Sequence, residues 1–251
     1  MLSINTTKYI NSLKSGKFRK KYGKFAVEGQ KIVNELINSN LIIDSIFALK
    51  EWIEDNKDLS GIEINEISHR ELKKISSLKT PNQVLAVVNK PDYKLNPRFL
   101  ANEWVLVLDN IRDPGNLGTI IRTADWFGVR NIICSPDTVD VYNPKVIQAT
   151  MGSFIRVKTH YTDPGKFFAM VNKPVFGAVL NGKSIYNQHF PNSGFLIIGN
   201  ESKGISEIVK QQITNPVTIP SFTGGSKAES LNASIAGAVI LSEIKRQNNE
   251  Q

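Results

Sequence analysis

Between Trp104 and Arg246, short apolar runs alternate with stretches whose apolar residues recur at helical spacing, and this alternation most restricts the fold. Trp104–Leu108, Asn131–Cys134, Ile155–Lys158, Val175–Leu180, Phe195–Gly199 and Val217–Pro220 read as strands. Asn116–Phe127, Asn143–Met151, Ile205–Gln212 and a closing segment Ser230–Arg246 read as helices. Such alternation predicts an α/β fold with a mainly parallel sheet and helices on both faces. Sheets of this kind bind ligands outside the carboxyl ends of their strands. Polar residues that directly follow strands are therefore the candidates for chemistry.

The first part of the chain predicts a smaller α/β unit. Phe25–Val27 reads as a strand, followed from Glu28 by a helix with Ile32, Val33, Leu36 and Ile37 on one face. Leu41–Leu49, Ile62–Ile64 and Val84–Val88 read as strands, and His69–Ser76 as a helix. NKPDYKLNPRF, with two prolines and little apolar content, reads as a linker. The expected domains are residues 1–95 and 103–251.

Composition narrows the partner. With 41% hydrophobic and 22% charged residues, the chain of 251 is an ordinary globular protein. Its formal net charge of +8 points to a polyanion. No apolar run approaches the ~18 residues of a membrane span. MLSINTTKYINSLKSG lacks the apolar core of a signal peptide, so a cytoplasmic nucleic acid, with no membrane, is the expected partner. From Lys8 to Lys24 there are seven Lys/Arg and no acid, interleaved with Tyr9, Phe18 and Tyr22. Lys17, Arg19, Lys20, Lys21 and Lys24 are the candidate RNA contacts, since phosphates need cations and unstacked bases need flat rings. The run fits equally well a solvated helical face with its aromatics turned inward. Cys134 is the only cysteine and sits in an apolar stretch, which excludes an intrachain disulfide and reads as a small buried residue. His69, His160 and His189 lie far apart and outside any ligand motif, so no metal is expected.

One phosphate-loop match, GAVLNGKS (Gly177–Ser184), fails on context: Ala178, Val179 and Leu180 continue a strand where a loop is required. Three other segments are richer. DNIRDPGNLGTIIRTADWFGV packs acids, Arg, Pro and Gly into a loop that opens a helix, with Asn116 at the expected N-cap. Leu117, Ile120, Ile121, Ala124 and Phe127 make the buried stripe, and Arg122 lies well off it, able to reach a ligand or a neighbouring subunit. FLIIGNESKGIS places Gly199, Asn200 and Glu201 directly after a strand, where a glycine permits close backbone approach to a ligand. VTIPSFTGGSKAESLNASIAGAV ends a strand, crosses a Gly-rich loop and opens a helix near Ser230, itself a candidate N-cap. Its small residues Ala233, Ser234, Ala236, Gly237 and Ala238 would allow that helix to pack closely.

These three segments, in this order and each at a strand end, resemble the SpoU class of S-adenosylmethionine-dependent RNA ribose 2′-O-methyltransferases. The matches are Asn116-x-Gly118-x-x-x-Arg122, Ile198-Gly199-Asn200-Glu201, and Ile219-Pro220 followed by Ser230-Leu231-Asn232. FAVEGQKIVNELI and SSLKTPNQVLAVV resemble that class's N-terminal RNA substrate-binding domain. The resemblance implies a deep trefoil knot, S-adenosylmethionine as cofactor, a homodimer, and ribosomal rather than transfer RNA as substrate. RNA binding without catalysis on the same fold is the reading of a different class. The resemblance further implies catalytic roles for Asn116, Arg122, Glu201, Ser230 and Asn232, and cofactor contacts at Leu180, Asn181, Gly182, Ile198, Gly199, Ile219 and Leu231. This chain has Ser202 where the class usually has Gly, and SFTGGSKAE is a few residues longer than usual.

Overall fold

The computed structural model describes residues 2–57, 59, 61–96, 102–171, 173–222 and 230–249. The chain forms two compact units, Met1–Asp92 with Asp140–Ile155, and Tyr93–Val139 with Arg156–Gln251.

The first unit contains α1 (Ile4–Ser12), α2 (Gly16–Tyr22), β1 (Lys24–Glu28), α3 (Gln30–Ile37), β2 (Ile43–Ala48), α4 (Lys50–Asp55), β3 (Glu63–Glu66), α5 (His69–Ile75) and β4 (Val84–Asn89). Its sheet has the order β1-β4-β2-β3, antiparallel except for the β2–β3 pair. Alternation along β4 explains the two-sided core. Val84, Ala86 and Val88 pack on one face with Phe25, Ile46 and Trp52, while Leu85 and Val87 pack on the other with Ile10, Leu72 and Ile75. Helix α5 is held at its start by a capping box, with Ser68 accepting from the Glu71 amide and Glu71 accepting from the Ser68 amide. A second bond, from the Leu2 amide to Glu71 at 2.6 Å, ties the chain start to the same carboxylate.

The remaining elements are β5 (Trp104–Asp109), α6 (Pro114–Trp126), β6 (Asn131–Cys134), α7 (Pro144–Thr150), β7 (Lys158–Tyr161), α8 (Pro164–Phe168), β8 (Val175–Ser184), β9 (Gly194–Gly199), α9 (Glu207–Lys210), β10 (Asn215–Thr218) and α10 (Ala233–Asn249). Of these, α7 falls in the first unit, where Ile147 joins the core of Phe25 and Trp52. The others build the second unit around a six-stranded sheet, β10-β8-β9-β5-β6-β7, parallel at every pairing. Phe167 and Phe168 of α8 and Val209 of α9 cover one face against Val105, Phe195 and Ile197. On the other face α10 packs on β9, with Gly237 so close to Ile198 that an added Cβ would lie 2.7 Å from its Cδ1. From β5 the chain runs outward to β6 and β7, then returns to lay down β8, β9 and β10 on the opposite side. The switch falls between β5 and β9, whose carboxyl ends form the crevice that such sheets offer to ligands.

Four of the differences from the expected boundaries have a clear physical reason. Helix α6 starts at Pro114 with Asp113 as N-cap, not at Asn116, because Asp-Pro combines a capping acid with a proline at the first helical position. Strand β7 is Lys158–Tyr161 rather than Ile155–Lys158: Ser153–Ile155 form a 3-10 turn, Phe154 enters the first unit's core, and pairing begins where the Lys158 amide donates to Arg130. Helix α9 is shorter than Ile205–Gln212, since Ile205 is drawn into the core. Finally, α10 starts at Ala233, and Asn232, not Ser230, caps it by accepting from the Ser234 and Ile235 amides.

Candidate active site

The loops that leave β5 and β9 are stitched together through buried and backbone groups. Asp109, the last residue of β5, is buried and accepts from the Ser206 amide at 2.7 Å. Asn110 adopts a left-handed backbone (φ 60), its amide donating to Ser135 Oγ at 2.8 Å and its carbonyl accepting from Asn200 Nδ2 at 2.9 Å. Asn200 Oδ1 in turn accepts from the Ser202 and Lys203 amides, and Asn200 and Gly204 exchange backbone bonds of 3.0 and 2.9 Å. The turn after β9 therefore folds back on its own strand. Gly199 is required for that return: a Cβ there would lie 2.4 Å from the Gly204 carbonyl carbon. Approach to a ligand was the expected reason for this glycine; the space is filled by the chain itself.

Because Asp113 accepts from the Asn116 amide, the Asn116 side chain has no capping duty. Its Nδ2 donates to Glu201 Oε1, and its Oδ1 accepts from Asn232 Nδ2 at 2.9 Å. Asn232 Oδ1 meanwhile accepts from the Ser234 amide (2.9 Å) and hydroxyl (2.6 Å) and from the Ile235 amide (3.4 Å). The direction of this chain is determined by chemistry. The backbone at the start of α10 offers only N–H groups, so the Asn232 oxygen must face it and its NH2 must face Asn116. A carboxylate can only accept, so Asn116 must turn its NH2 to Glu201. One polar chain thus joins the ends of β9, α6 and α10, the three segments singled out in the sequence. Glu201 orients Asn116; no described bond links it to Arg122.

Arg122 and Ser230 are exposed and have no partner among the described residues. The residues expected to contact the cofactor stand at the carboxyl ends of three adjacent strands: Leu180, Asn181 and Gly182 on β8, Ile198 and Gly199 on β9, and Ile219 beyond β10. Leu231 is exposed just before α10. The register of β8 with β10 jumps from Gly177↔Pro216 to Lys183↔Val217, so the residues between them, Ala178 to Gly182, face no partner on β10. Gly182 returns the strand to β10 so closely that a Cβ would lie 2.5 Å from Val217. A loop of this kind offers backbone groups and the exposed Leu180 side chain, which suits an adenine-bearing, largely backbone-bound cofactor. Most of the longer Ser221–Ala228 loop, residues 223–228, lies outside the described residues. Gly177 still pairs with β9 and β10, and Lys183 and Ser184 rejoin β10, so the phosphate-loop match lies along a bulged strand and not in a strand-to-helix loop.

In the first unit the basic run forms α1 and α2. Lys17, Lys20 and Lys21 are exposed on α2. Arg19 is a correction to the expected RNA contacts. It is 2% exposed, with Nη1 donating to the Leu13 and Lys14 carbonyls and Nε to Asp140 at 2.8 Å. Lys24 is engaged by Asp44, a hydrogen bond that raises its pKa. The rings pack on one another, Tyr22 edge-on to Tyr9 at 5.1 Å and stacked on Phe18 at 6.1 Å. Cys134 is buried, which pushes its thiol pKa up and leaves it unreactive. Sequence reading missed Asp109 and Asp113 as supports of the site, and placed Asn200 in the second motif without giving it a role. Only Asp113 carried a usable signal, the Asp-Pro pair at a helix start.

No described helix is long and apolar enough to cross a membrane, and no described cluster of His, Cys, Asp or Glu could hold a metal ion. Residues 103–242 match the model of the SpoU rRNA Methylase family, and residues 5–86 match the MRM3-like substrate binding domain. The chain is 28% identical to the 23S rRNA (guanosine(2553)-2′-O)-methyltransferase RlmP of Bacillus subtilis, covering 93% of each. A TrmH-family protein from Porphyromonas gingivalis superposes with a TM-score of 0.88 at 36% identity, over 98% of this chain and 99% of that one. An AdoMet-bound rRNA methyltransferase from Sinorhizobium meliloti gives 0.87 at 25% identity, over 98% and 97%.

Proposed function

The chain belongs to the SpoU rRNA Methylase family, and from that premise we propose that it transfers the methyl group of S-adenosylmethionine to a ribose 2′-hydroxyl of ribosomal RNA. The polar chain Glu201–Asn116–Asn232, joining all three motif segments at one strand edge, carries this reading. Bound S-adenosylmethionine supplies an electrophilic methyl carbon on a sulfonium. Leu180, Asn181, Gly182, Ile198, Gly199, Ile219 and Leu231 would hold it at the carboxyl ends of β8, β9 and β10. The unpartnered bulge Ala178–Gly182 supports that placement.

The reaction is an in-line displacement in which the new O–C bond forms as the C–S bond breaks, the sulfur keeping that electron pair and the hydroxyl proton passing to solvent. The protein's main task is therefore alignment of the attacking oxygen with the methyl carbon. Arg122 is suited to clamp the target phosphate and stabilise developing oxyanion character. It is unsuited to be the base, because a guanidinium stays charged and has no acceptor atom. Asn116, held by Glu201 and Asn232, positions the start of α6, from whose outer face Arg122 projects. Ser230 completes the set from the segment before α10. The enzyme acts as a homodimer, Arg122 serving near the cofactor of the partner subunit. The tight crossing of Gly182 on Val217 supports the trefoil knot that family membership brings. Residues 1–95 bind the substrate, with the exposed Lys17, Lys20 and Lys21 of α2 on phosphates, and 103–251 carry the chemistry. We place this activity in the cytoplasm.

Incubation with labelled S-adenosylmethionine and total unmodified RNA tests the proposal. Label in the large ribosomal RNA species, resistant to alkali at one ribose by nuclease mapping, is the expected result. Label confined to transfer RNA would reassign the substrate, and cofactor binding without transfer would reduce the protein to RNA binding.

A further inference from the structure

The sheet of the first unit carries helices on both sides. Helices α3, α4 and α7 pack on the face with Phe25 and Trp52, while α1 and α5 pack on the other with Leu85 and Val87. The ends of α1 and α5 lie side by side: Asn11 Nδ2 donates to the Lys74 carbonyl and Lys14 Nζ to the Ser76 carbonyl, both at 2.9 Å. Arg19 ties α2 to the same end of α1 through the Leu13 and Lys14 carbonyls. On α5, Arg70, Lys73 and Lys74 recur at i, i+3 and i+4, exposed and opposite the buried Leu72 and Ile75. Two cation runs remote in sequence thus become one surface, from the exposed lysines of α2 through Lys14 to Lys73 and Lys74. Glu71 is the only acid on these three helices, and its carboxylate is occupied by the Ser68 and Leu2 amides. The rings of the run are occupied too. Tyr22 has Phe18 stacked on it, Tyr9 edge-on to it, and Lys21 Nζ 5.4 Å from its centroid.

We infer that the face formed by α1, α2 and α5 grips the phosphate backbone of a helical stretch of the substrate RNA, by charge and without base stacking. The inference rests on the proposed RNA 2′-O-methyl transfer and adds where, and in what form, that RNA is held. Proteins that hold single strands combine cations with rings on which successive bases stack. Double-stranded RNA turns its bases inward and is held through phosphates and ribose hydroxyls. Here the cations are free and the rings are spent on one another, which selects the second kind of ligand. The face belongs to the first unit, on the side of the sheet away from α7. Arg122, the residue proposed to serve the partner subunit, belongs to the second.

The test measures, by fluorescence anisotropy, binding of the full chain to two labelled probes: an RNA duplex of about 20 base pairs and a poly(U) single strand of equal length. Wild type should prefer the duplex by about tenfold or more at about 0.1 M salt. The double variant Lys73→Ala, Lys74→Ala should bind the duplex about tenfold more weakly, with a salt slope flattened by about two. Its melting temperature, cofactor affinity and oligomeric state should match wild type. Tyr22→Leu should bind the duplex within about twofold of wild type. In methyl transfer, the double variant should raise KM for ribosomal RNA and leave kcat unchanged. Equal affinity of wild type for the two probes would overturn the inference, as would a double variant equal to wild type in duplex affinity and salt slope. So would a Tyr22→Leu protein of unchanged melting temperature that loses the duplex, since its ring would then be a platform. A wild type that grips the duplex but labels no RNA would remove the methyl-transfer reading alone.

Discussion

Two arginines, Arg19 in the first unit and Arg122 in the second, were both candidates for RNA phosphates and meet opposite fates. Arg19 is buried, and its donors are matched to Asp140 and to the carbonyls at the end of α1. Arg122 stands exposed with no described partner. The contrast extends to their surroundings. In the first unit, the buried charged groups are paired: Arg19 with Asp140, and Glu28 with Ser76 and the Ser77 amide. In the second, the polar chain Glu201–Asn116–Asn232 lies at a strand edge open to solvent. A group that is satisfied holds the fold; a group that is oriented but unsatisfied is available to a substrate.

The strongest way to break the comparison is Arg122→Ala. It should lower kcat by about 10²–10³-fold with cofactor affinity, read by titration calorimetry, nearly unchanged. Loss of cofactor binding would show that Arg122 serves the cofactor rather than the RNA. Arg19→Ala should do the reverse, costing about 3 kcal/mol of stability in thermal melts, because Asp140 and two carbonyls lose their donor. Its cofactor affinity at a temperature where the protein stays folded should match wild type. Gly182→Ala should cost about 1–3 kcal/mol in urea unfolding, since the new methyl must push the Val217 backbone aside, and should weaken cofactor binding as well.

A sharper probe of the polar chain is Asn232→Asp. Aspartate caps α10 as well as asparagine does, but it cannot donate to Asn116. Stability should therefore change by less than about 0.5 kcal/mol while kcat falls roughly tenfold. Equal losses in both would mean that Asn232 is only a cap.

The smallest effect concerns His160, whose pKa is lowered by burial, with Lys158 adding to the shift. Its Nε2 donates to Asn131 Oδ1, 3.1 Å away, on β6. A depressed pKa means that its stabilising contribution is present above the unfolded value near 6.5 and is lost as pH falls through the lower folded value. Melting temperature should drop between pH 7 and 5 in wild type, and by less in His160→Gln.

Much of this was legible in one dimension. The apolar runs at Trp104–Leu108 and Phe195–Gly199 are strands to within a residue, because a strand buried on both faces has no choice but to be continuously apolar. Helix α6 showed its buried stripe and its misplaced arginine for the same reason: periodicity records which side faces the core. Boundaries were less legible where competing residues could cap. Asp113 and Asn116 are both good caps three residues apart, and proline decided between them. The helix Pro144–Thr150 looked like one more member of the second unit's alternation. Its pattern records only that one face is buried, and Phe25 and Trp52, more than ninety residues away, turned out to bury it.

The sequence by itself therefore determined the class of fold, the family, and which three segments lie at strand ends, since each follows from local period and residue type. Tertiary structure decided which polar groups remain available. Whether Arg19 or Arg122 can reach a phosphate depends on what stands opposite each in space. Whether Gly199 admits a ligand or its own returning loop depends on the path of a chain five residues further on. Those are questions of distance between parts remote in sequence, and no residue pattern encodes a distance.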